Sequence, residues 1–468
     1  MTIILGGVIL SELMMAWWSF RKPLNGLCLL LAIRLLVPDI CRAIVMDLSL
    51  NTMLTIILAT GVLWRLLNGR VSHREFKQPL FRFIIAYTVT SFIIMLIPNS
   101  VPFMVQLTSY IQFFVCQILP ALLMMILITT HKDLMRVLKV MFYSISICMG
   151  YGIISILLGI PFLYNTMFID MFGTTQSVEN FSESINSVMG GIQGRIVGTC
   201  VGRSYAFGMI APVVFAMVWC IWGKTGIKRL KWLTLLCAIA TLFTVRRSPI
   251  IAAMIFMLFL FLRKAHNEKI KMVAYALIGL VAVYGIIVLF PYFSNFQNII
   301  ESSLFFWDEG VSTQNGISGS SVSFRSYQLQ YTLRQIANSP LIGNGLGSCF
   351  YKGLHPTMIG WESIVFTTLM QGGIYGVIMT ILLYYHMYRY SIQRSQDTVY
   401  ELAFILSAIT LCVFTDTIYP FFIFCGCILM NKLNTLRPND RLQKATITGH
   451  RLAPFSNDPR RGLHPWCR

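Results

Sequence analysis

The sequence predicts an all-α polytopic membrane helix bundle of about 11–14 transmembrane helices, with one large extracytoplasmic loop containing short helices. Three observations predict it. Of 468 residues, 56% are hydrophobic and only 12% charged, about half the charged share of an ordinary soluble domain. The mean hydropathy is +0.69. Apolar runs long enough to cross a hydrocarbon core of roughly 30 Å recur along the whole chain. This composition excludes a soluble enzyme.

The runs fall at about 2–19, 23–46, 50–67, 83–98, 101–130, 138–162, 197–222, 231–245, 249–262, 272–291, 361–388, 399–416 and 418–431. Basic turns separate alternate runs, so thirteen spans place the N-terminus outside and the C-terminal tail inside. The first run is followed by Arg21 and Lys22 without a small-residue cleavage site, and reads as a helix rather than a signal peptide. Segment 23–46 carries Arg34, Asp39 and Arg42 and is expected to be broken or partly interfacial. Residues 1–433 form the membrane domain. The polar, basic stretch 434–468 reads as a disordered cytoplasmic tail attracted to the lipid surface.

The net charge is +19, a value that could suggest nucleic acid. Its placement argues otherwise. Of 37 Lys and Arg residues, nine lie off the basic turns and tail, which leaves 28 that orient the chain and need no polyanionic partner. The 12 cysteines are scattered through apolar runs without metal-ligand spacing, and read as small hydrophobes. No metal site and no cofactor is expected: Asp-x-Asp, His-Glu-x-x-His, phosphate-loop and Gly-x-Ser-x-Gly motifs are all missing. His131-Lys132-Asp133 reads as an ordinary helix-end cluster.

Two connections are long, about 163–196 and about 292–360, both opposite the basic turns. Loops of that length usually bind or catalyse something. Within the second, residues 321–337 predict a helix with Val322, Leu329, Leu333 and Ile336 on one stripe, ended by Asn338-Ser-Pro340. Arg325 interrupts that stripe, whereas Arg334, nine positions on, faces solvent.

The nine exceptional cations are Arg34, Arg42, Arg195, Arg203, Arg246, Arg247, Arg325, Arg334 and Lys352. Cations inside or beyond a span are expensive and mark functional sites, unless they snorkel to headgroups or meet a nearby acid. Arg246-Arg247-Ser-Pro249 tips a hairpin between the basic anchors Lys231 and Arg263. Each arm has about 15 residues, or roughly 22 Å of helix, so the tip lies at or just below headgroup level. Two guanidiniums at that depth suit a lipid diphosphate, with ordinary phospholipid phosphate as the competing partner. The stretch Pro340-Leu-Ile-Gly343-Asn-Gly345-Leu-Gly347 lacks the strand and helix of a nucleotide loop. Its glycines permit a tight turn close to a ligand or a neighbouring helix. His355 and Glu362 follow, and either is a candidate general base.

Taken in order, these segments resemble the O-antigen polymerase and O-antigen ligase superfamily. Arg195-Ile-Val-Gly198 before a span is similar to the family's Arg-x-x-Gly entry, and Thr244-Val-Arg246-Arg247 to its Thr-x-Ser-Arg turn, with Arg246 in place of Ser. Arg325, Pro340-Leu-Ile-Gly-Asn-Gly-Leu-Gly, His355 and Glu362-Ser363 resemble its Arg, Pro-x-x-Gly-x-Gly, His and glycine-bearing helix series. The likeness covers roughly 190–380. Pro356 after His355, and Glu362 at the head of the helix, look more like the polymerase branch than the ligase branch.

The resemblance implies a metal-independent glycan polymerase of the bacterial plasma membrane, working on its extracytoplasmic face in O-antigen, capsule or exopolysaccharide synthesis. A growing glycan would leave undecaprenyl diphosphate for the sugar of an incoming lipid-linked unit. It assigns Arg195, Arg247 and Arg325, then Arg246 and Arg203, to the diphosphate, and Glu362 or His355 to the attacking hydroxyl. Partners implied are the lipid-linked glycan, membrane lipid and a chain-length regulator protein. Ligase activity is the alternative within the class, and a lipid-linked oligosaccharide flippase the alternative outside it. A flippase would predict an internal repeat, and the sequence carries none.

Overall fold

In the computed structural model the described residues are 2–44, 48–69, 73–158, 162–174, 178–179, 181–182, 188–189, 192–193, 196–244, 246–263, 313–314, 317–318, 321–355, 361–415 and 419–436. Helices dominate them: α1 Thr2–Arg21, α2 Pro23–Leu36, α3 Leu50–Leu67, α4 Pro79–Met95, α5 Phe103–Leu127, α6 His131–Leu157 and α7 Leu163–Phe172. After them come α8 Ser204–Thr225, α9 Lys228–Leu242, α10 Arg247–Arg263, α11 Ser321–Gln335, α12 Ile364–Ser391, α13 Val399–Phe414 and α14 Phe421–Thr435. Two antiparallel ladders of two residues a strand, β1 Val188–Met189 with β2 Ile192–Gln193 and β3 Thr313–Gln314 with β4 Ile317–Ser318, add little. Among the described residues, six helices are long and apolar enough to cross a membrane. The chain is a polytopic membrane helix bundle.

Local sequence explains where the helices start and stop. Val37 precedes Pro38 and takes φ −109°, ψ 132°, because the proline ring disfavours a helical residue before it. Segment 23–46 is therefore helical only to Leu36, and Asp39 and Arg42 lie on the irregular stretch that follows. The predicted span 138–162 starts earlier, at His131, because Thr130 and Asp133 close a reciprocal capping box. Within α5, Ile111–Ile118 is wound as a π-helix. Pro120 has no N–H to donate, and its ring crowds the Cys116 carbonyl, which favours the wider winding.

The basic turns gather at one end. Arg65 donates to the Arg21 carbonyl at 3.0 Å and Arg136 to Asn25 Oδ1 at 3.0 Å. Two ion pairs lock the same end, the buried Lys224–Glu401 at 2.7 Å and the partly buried Lys432–Glu75 at 2.9 Å. Asn434 Nδ2 also donates to Glu401, so the buried part of α14 runs past residue 433, where the tail was expected to begin. The tail from 437 onward, the predicted span 272–291 and the loop residues 292–312 lie outside the described residues.

Helices α8 and α14 form the centre. Of the apolar window of α8, 83% is buried, against 22% for α1 and for α12 on the flanks. Around them pack α5, α6, α9, α10, α12 and α13, while α1 lies against α2 and α3. At the end opposite the basic turns, Thr199 Oγ1 and Tyr164 Oη donate at 2.7 Å to the last carbonyls of α2, Leu35 and Leu36. Every candidate site residue described lies at this end.

Candidate functional site

The site is built where α11, α10 and α13 meet. Arg325, on the first turns of α11, sends Nη2 to the Phe414 carbonyl at 3.2 Å and stands over the Phe414 ring at 5.4 Å. Phe414 ends α13, and Thr415 turns away in extended geometry, so that carbonyl has no helical partner of its own. Ser248 Oγ donates to the same carbonyl at 3.3 Å. Ser248 follows Arg247 at the start of α10, so one backbone oxygen ties the arginine turn to Arg325. The backbone of Arg247 stands at this junction, but its side chain lies outside the described residues, as does all of Arg195.

Glu362 completes the group. Its Oε2 is 3.5 Å from Arg325 Nε, with both side chains about a quarter exposed (26% and 27%). The Gln328 amide oxygen, one helical turn beyond Arg325, accepts from the Glu362 backbone N–H at 3.2 Å and fixes where the carboxylate enters. The pair is a partly wet cation beside a carboxylate, an arrangement able to meet developing negative charge and to take a proton.

The face of α11 that turns inward differs from the predicted stripe. Gln328, Thr332 and Ile336 are buried, whereas Leu329 and Leu333 are exposed at 40% and 52%. Hydrophobic periodicity assumes that the inward face meets an apolar core. This face borders a polar site, so Arg325, Gln328 and Tyr331 point in and the leucines point out. Arg334 is exposed, as expected.

His355 sits apart from the carboxylate. It is 2% exposed and its Nδ1 meets Tyr331 Oη at 2.7 Å, while Nε2 has no hydrogen-bond partner. Trp361 packs edge-on against it at 5.8 Å between ring centroids and donates from Nε1 to the Cys349 carbonyl. Burial holds the His355 imidazole below the usual histidine range. It is neutral at physiological pH and lies behind Trp361, with no hydrogen bond to Glu362. Tyr331 and Gln328, which hold these groups, were not singled out from the sequence. The only signal for them is their spacing from Arg325 on one helix.

The glycine turn braces the module. Gly343, Gly345 and Gly347 have φ of 67°, 98° and 76°. The turn runs beside a break in α12, where Gly373 takes φ 57°, ψ −148°. Asn344 and Gly345 donate to the Met370 and Gln371 carbonyls at 2.9 and 3.1 Å, and Ile374 and Tyr375 donate to the Pro340 and Leu341 carbonyls at 2.9 and 3.0 Å. Four backbone groups freed by the break are thus satisfied. A Cβ on Gly343 would stand 2.6 Å from the Gly373 nitrogen. Here the glycines allow close approach to a neighbouring helix.

Arg246 points the other way, towards α8. Its Nη2 is 3.4 Å from Ser204 Oγ, and its guanidinium lies 4.9 Å from the Tyr205 ring. Arg203, exposed at the N-cap of α8, lines a separate cavity. Of the five arginines assigned to one ligand, the described side chains place Arg325 with Glu362, and Arg246 and Arg203 at α8. Among the described residues, no group of three His, Cys, Asp or Glu side chains is arranged to hold a metal ion.

Residues 232–381 match a family model described as O-antigen ligase. The matched stretch contains Arg246, Arg247, Arg325, the glycine turn, His355 and Glu362, and stops short of Arg195 and Arg203. A search of curated proteins returned no match.

Proposed function

We propose that the chain is a polymerase of lipid-linked oligosaccharide repeat units in the bacterial inner membrane, a reading supported by the match of residues 232–381 to a family model described as O-antigen ligase. The observation that carries this reading is the Arg325–Glu362 pair, joined through the Phe414 carbonyl to the Arg246-Arg247-Ser248 turn. Donor and acceptor are glycans on undecaprenyl diphosphate, and transfer takes place at the extracytoplasmic face. The acceptor hydroxyl oxygen forms a bond to the anomeric carbon of the donor glycan. The bond from that carbon to the diphosphate breaks, and its electron pair leaves with the phosphate oxygen. Arg325 and Arg247 stabilise the departing charge, which makes a metal unnecessary. The Glu362 carboxylate takes the hydroxyl proton. His355, neutral and enclosed, positions Tyr331 and Trp361 behind the pair and does not act as the base.

The description of the matched family favours a second reading, ligation of a finished glycan to another acceptor. A gene deletion examined on a glycan gel separates the two. Loss of the length ladder with one repeat retained supports the polymerase; loss of all attached glycan supports the ligase. An unchanged ladder in both Arg247→Ala and Arg325→Ala overturns the mechanism.

A further inference from the structure

A cavity of about 400 Å³ with several charged residues in its lining opens beside the central helices, outside the stretch that matches the family model. It is walled by the end of α2, the start of α3, the π-wound part of α5, the start of α8 and Tyr419 ahead of α14. Its charged lining is Arg34, Arg42 and Arg203 against one acid, Asp39.

Arg34 is the unusual member. It is 8% exposed on a membrane helix. Its Nη2 reaches only the Cys116 sulfur at 3.3 Å, its guanidinium lies 4.3 Å from the centre of the Phe421 ring, and its Nε has no hydrogen-bond partner. Among the described residues no carboxylate stands within ion-pair distance of it. Asp39, the acid of the lining, makes no ion pair with it, and its carboxylate accepts from the Tyr419 hydroxyl. A thiol and an aromatic ring do not balance a buried guanidinium, so the site is organised for an anion that it receives from outside.

Three further observations describe that anion. Arg42 and Arg203 line the same cavity as the uncompensated Arg34, and arginine grips phosphate oxygens in pairs. The volume suits a small polar ligand. Gln112, in the π-wound stretch of α5, is exposed while lining the cavity, so the cavity is open on that side. A headgroup can occupy it while its hydrocarbon chain stays in the membrane. π-Winding at this position is itself a frequent mark of a functional site.

We propose that this cavity seats the diphosphate of the second lipid-linked substrate, the acceptor that keeps its diphosphate while its sugar attacks. The proposal rests on the polymerase reading, since joining two lipid-linked units requires two diphosphate seats and only one leaving group. The seats adjoin: Arg203 lines the cavity, and the next residue, Ser204, accepts from Arg246 of the arginine turn.

The test uses the full chain in nanodiscs of neutral lipid, titrated with undecaprenyl diphosphate and counted by native mass spectrometry. Two bound lipids are expected for the wild type and one each for Arg34→Gln and Arg325→Gln, with Arg34→Lys retaining the second at reduced occupancy. One bound lipid in the wild type, or two in Arg34→Gln, overturns the proposal. If Arg34→Gln does not fold, Arg203→Gln at the exposed rim reads the same seat: second-site affinity should fall about ten-fold, and an unchanged value overturns it. Inorganic pyrophosphate and phosphatidylglycerol are the control arms. Either one filling the Arg34-dependent seat as well as the lipid diphosphate overturns the lipid-linked assignment. An intact glycan ladder in Arg325→Ala, with two lipids still bound by the wild type, would count against the polymerase reading alone.

Discussion

Arg325 and Glu362, 37 positions apart, lie 3.5 Å from each other as Nε to Oε2, and neither is sealed from solvent. The pair is held from both sides, by the Phe414 carbonyl on the arginine and by Gln328 on the glutamate backbone. Loss of either charge should leave the fold intact and cost turnover. Arg325→Ala is expected to slow polymerisation roughly 10²–10³-fold, and Glu362→Gln roughly 10²–10⁴-fold. Arg325→Lys should recover little, since a point charge does not reproduce a planar fork. Rates on purified lipid-linked repeat units check all three, with near-native melting temperatures as the control.

His355 should confer acid sensitivity on the loop module. Burial holds its folded pKa below the ordinary histidine value of 6.5, so the unfolded chain binds the proton more readily and stability rises with pH. The contribution is complete above pH 6.5 and is lost as pH falls through the lower folded value. Melting of the wild type should therefore drop between pH 7.5 and pH 5 by more than melting of His355→Gln. Parallel curves for the two proteins would refute this.

The break in α12 makes a separate prediction. Gly373 stands at φ 57° and Gly343 at φ 67°, and each backbone fills the space a side chain on the other would need. Alanine at either position should destabilise by about 1–3 kcal/mol from backbone strain alone, with more from the contact. Thermal unfolding in detergent, followed by helical circular dichroism, measures it. Gly372→Ala is the control, since a Cβ there meets nothing within 4 Å.

At the basic end, Glu401 is fully buried against Lys224 and Asn434. Truncating one partner strands the other, so Glu401→Ala should cost about 3–5 kcal/mol. Lys224→Met combined with Glu401→Leu should recover most of that loss. A double-mutant cycle on unfolding free energy decides it.

How much of this was legible in the sequence varies from residue to residue. The alternation of apolar runs and basic turns was enough to sort the chain into two ends, because lipid admits only self-satisfied helices and the orientation rule is one-dimensional. It also marked the arginines that break the rule, and Arg325 among them. The inward face of α11 was not legible. Periodicity ranks Leu329 and Leu333 as core, and only the polar neighbours supplied by α13 and by Glu362 turn Arg325 and Gln328 inward. The purpose of the glycines was likewise open between ligand and helix until the break at Gly373 stood beside them.

The sequence by itself determined the class, the apolar runs that become helices, and the unusual cations, since these depend on residue type and order along one axis. Tertiary structure alone decided which of those cations share a site. It divides them between two places, Arg325 with Glu362 at the Phe414 carbonyl and Arg34 with Arg203 around a cavity. Such grouping brings together residues 37 to 169 positions apart, and local pattern carries no record of distances across the bundle.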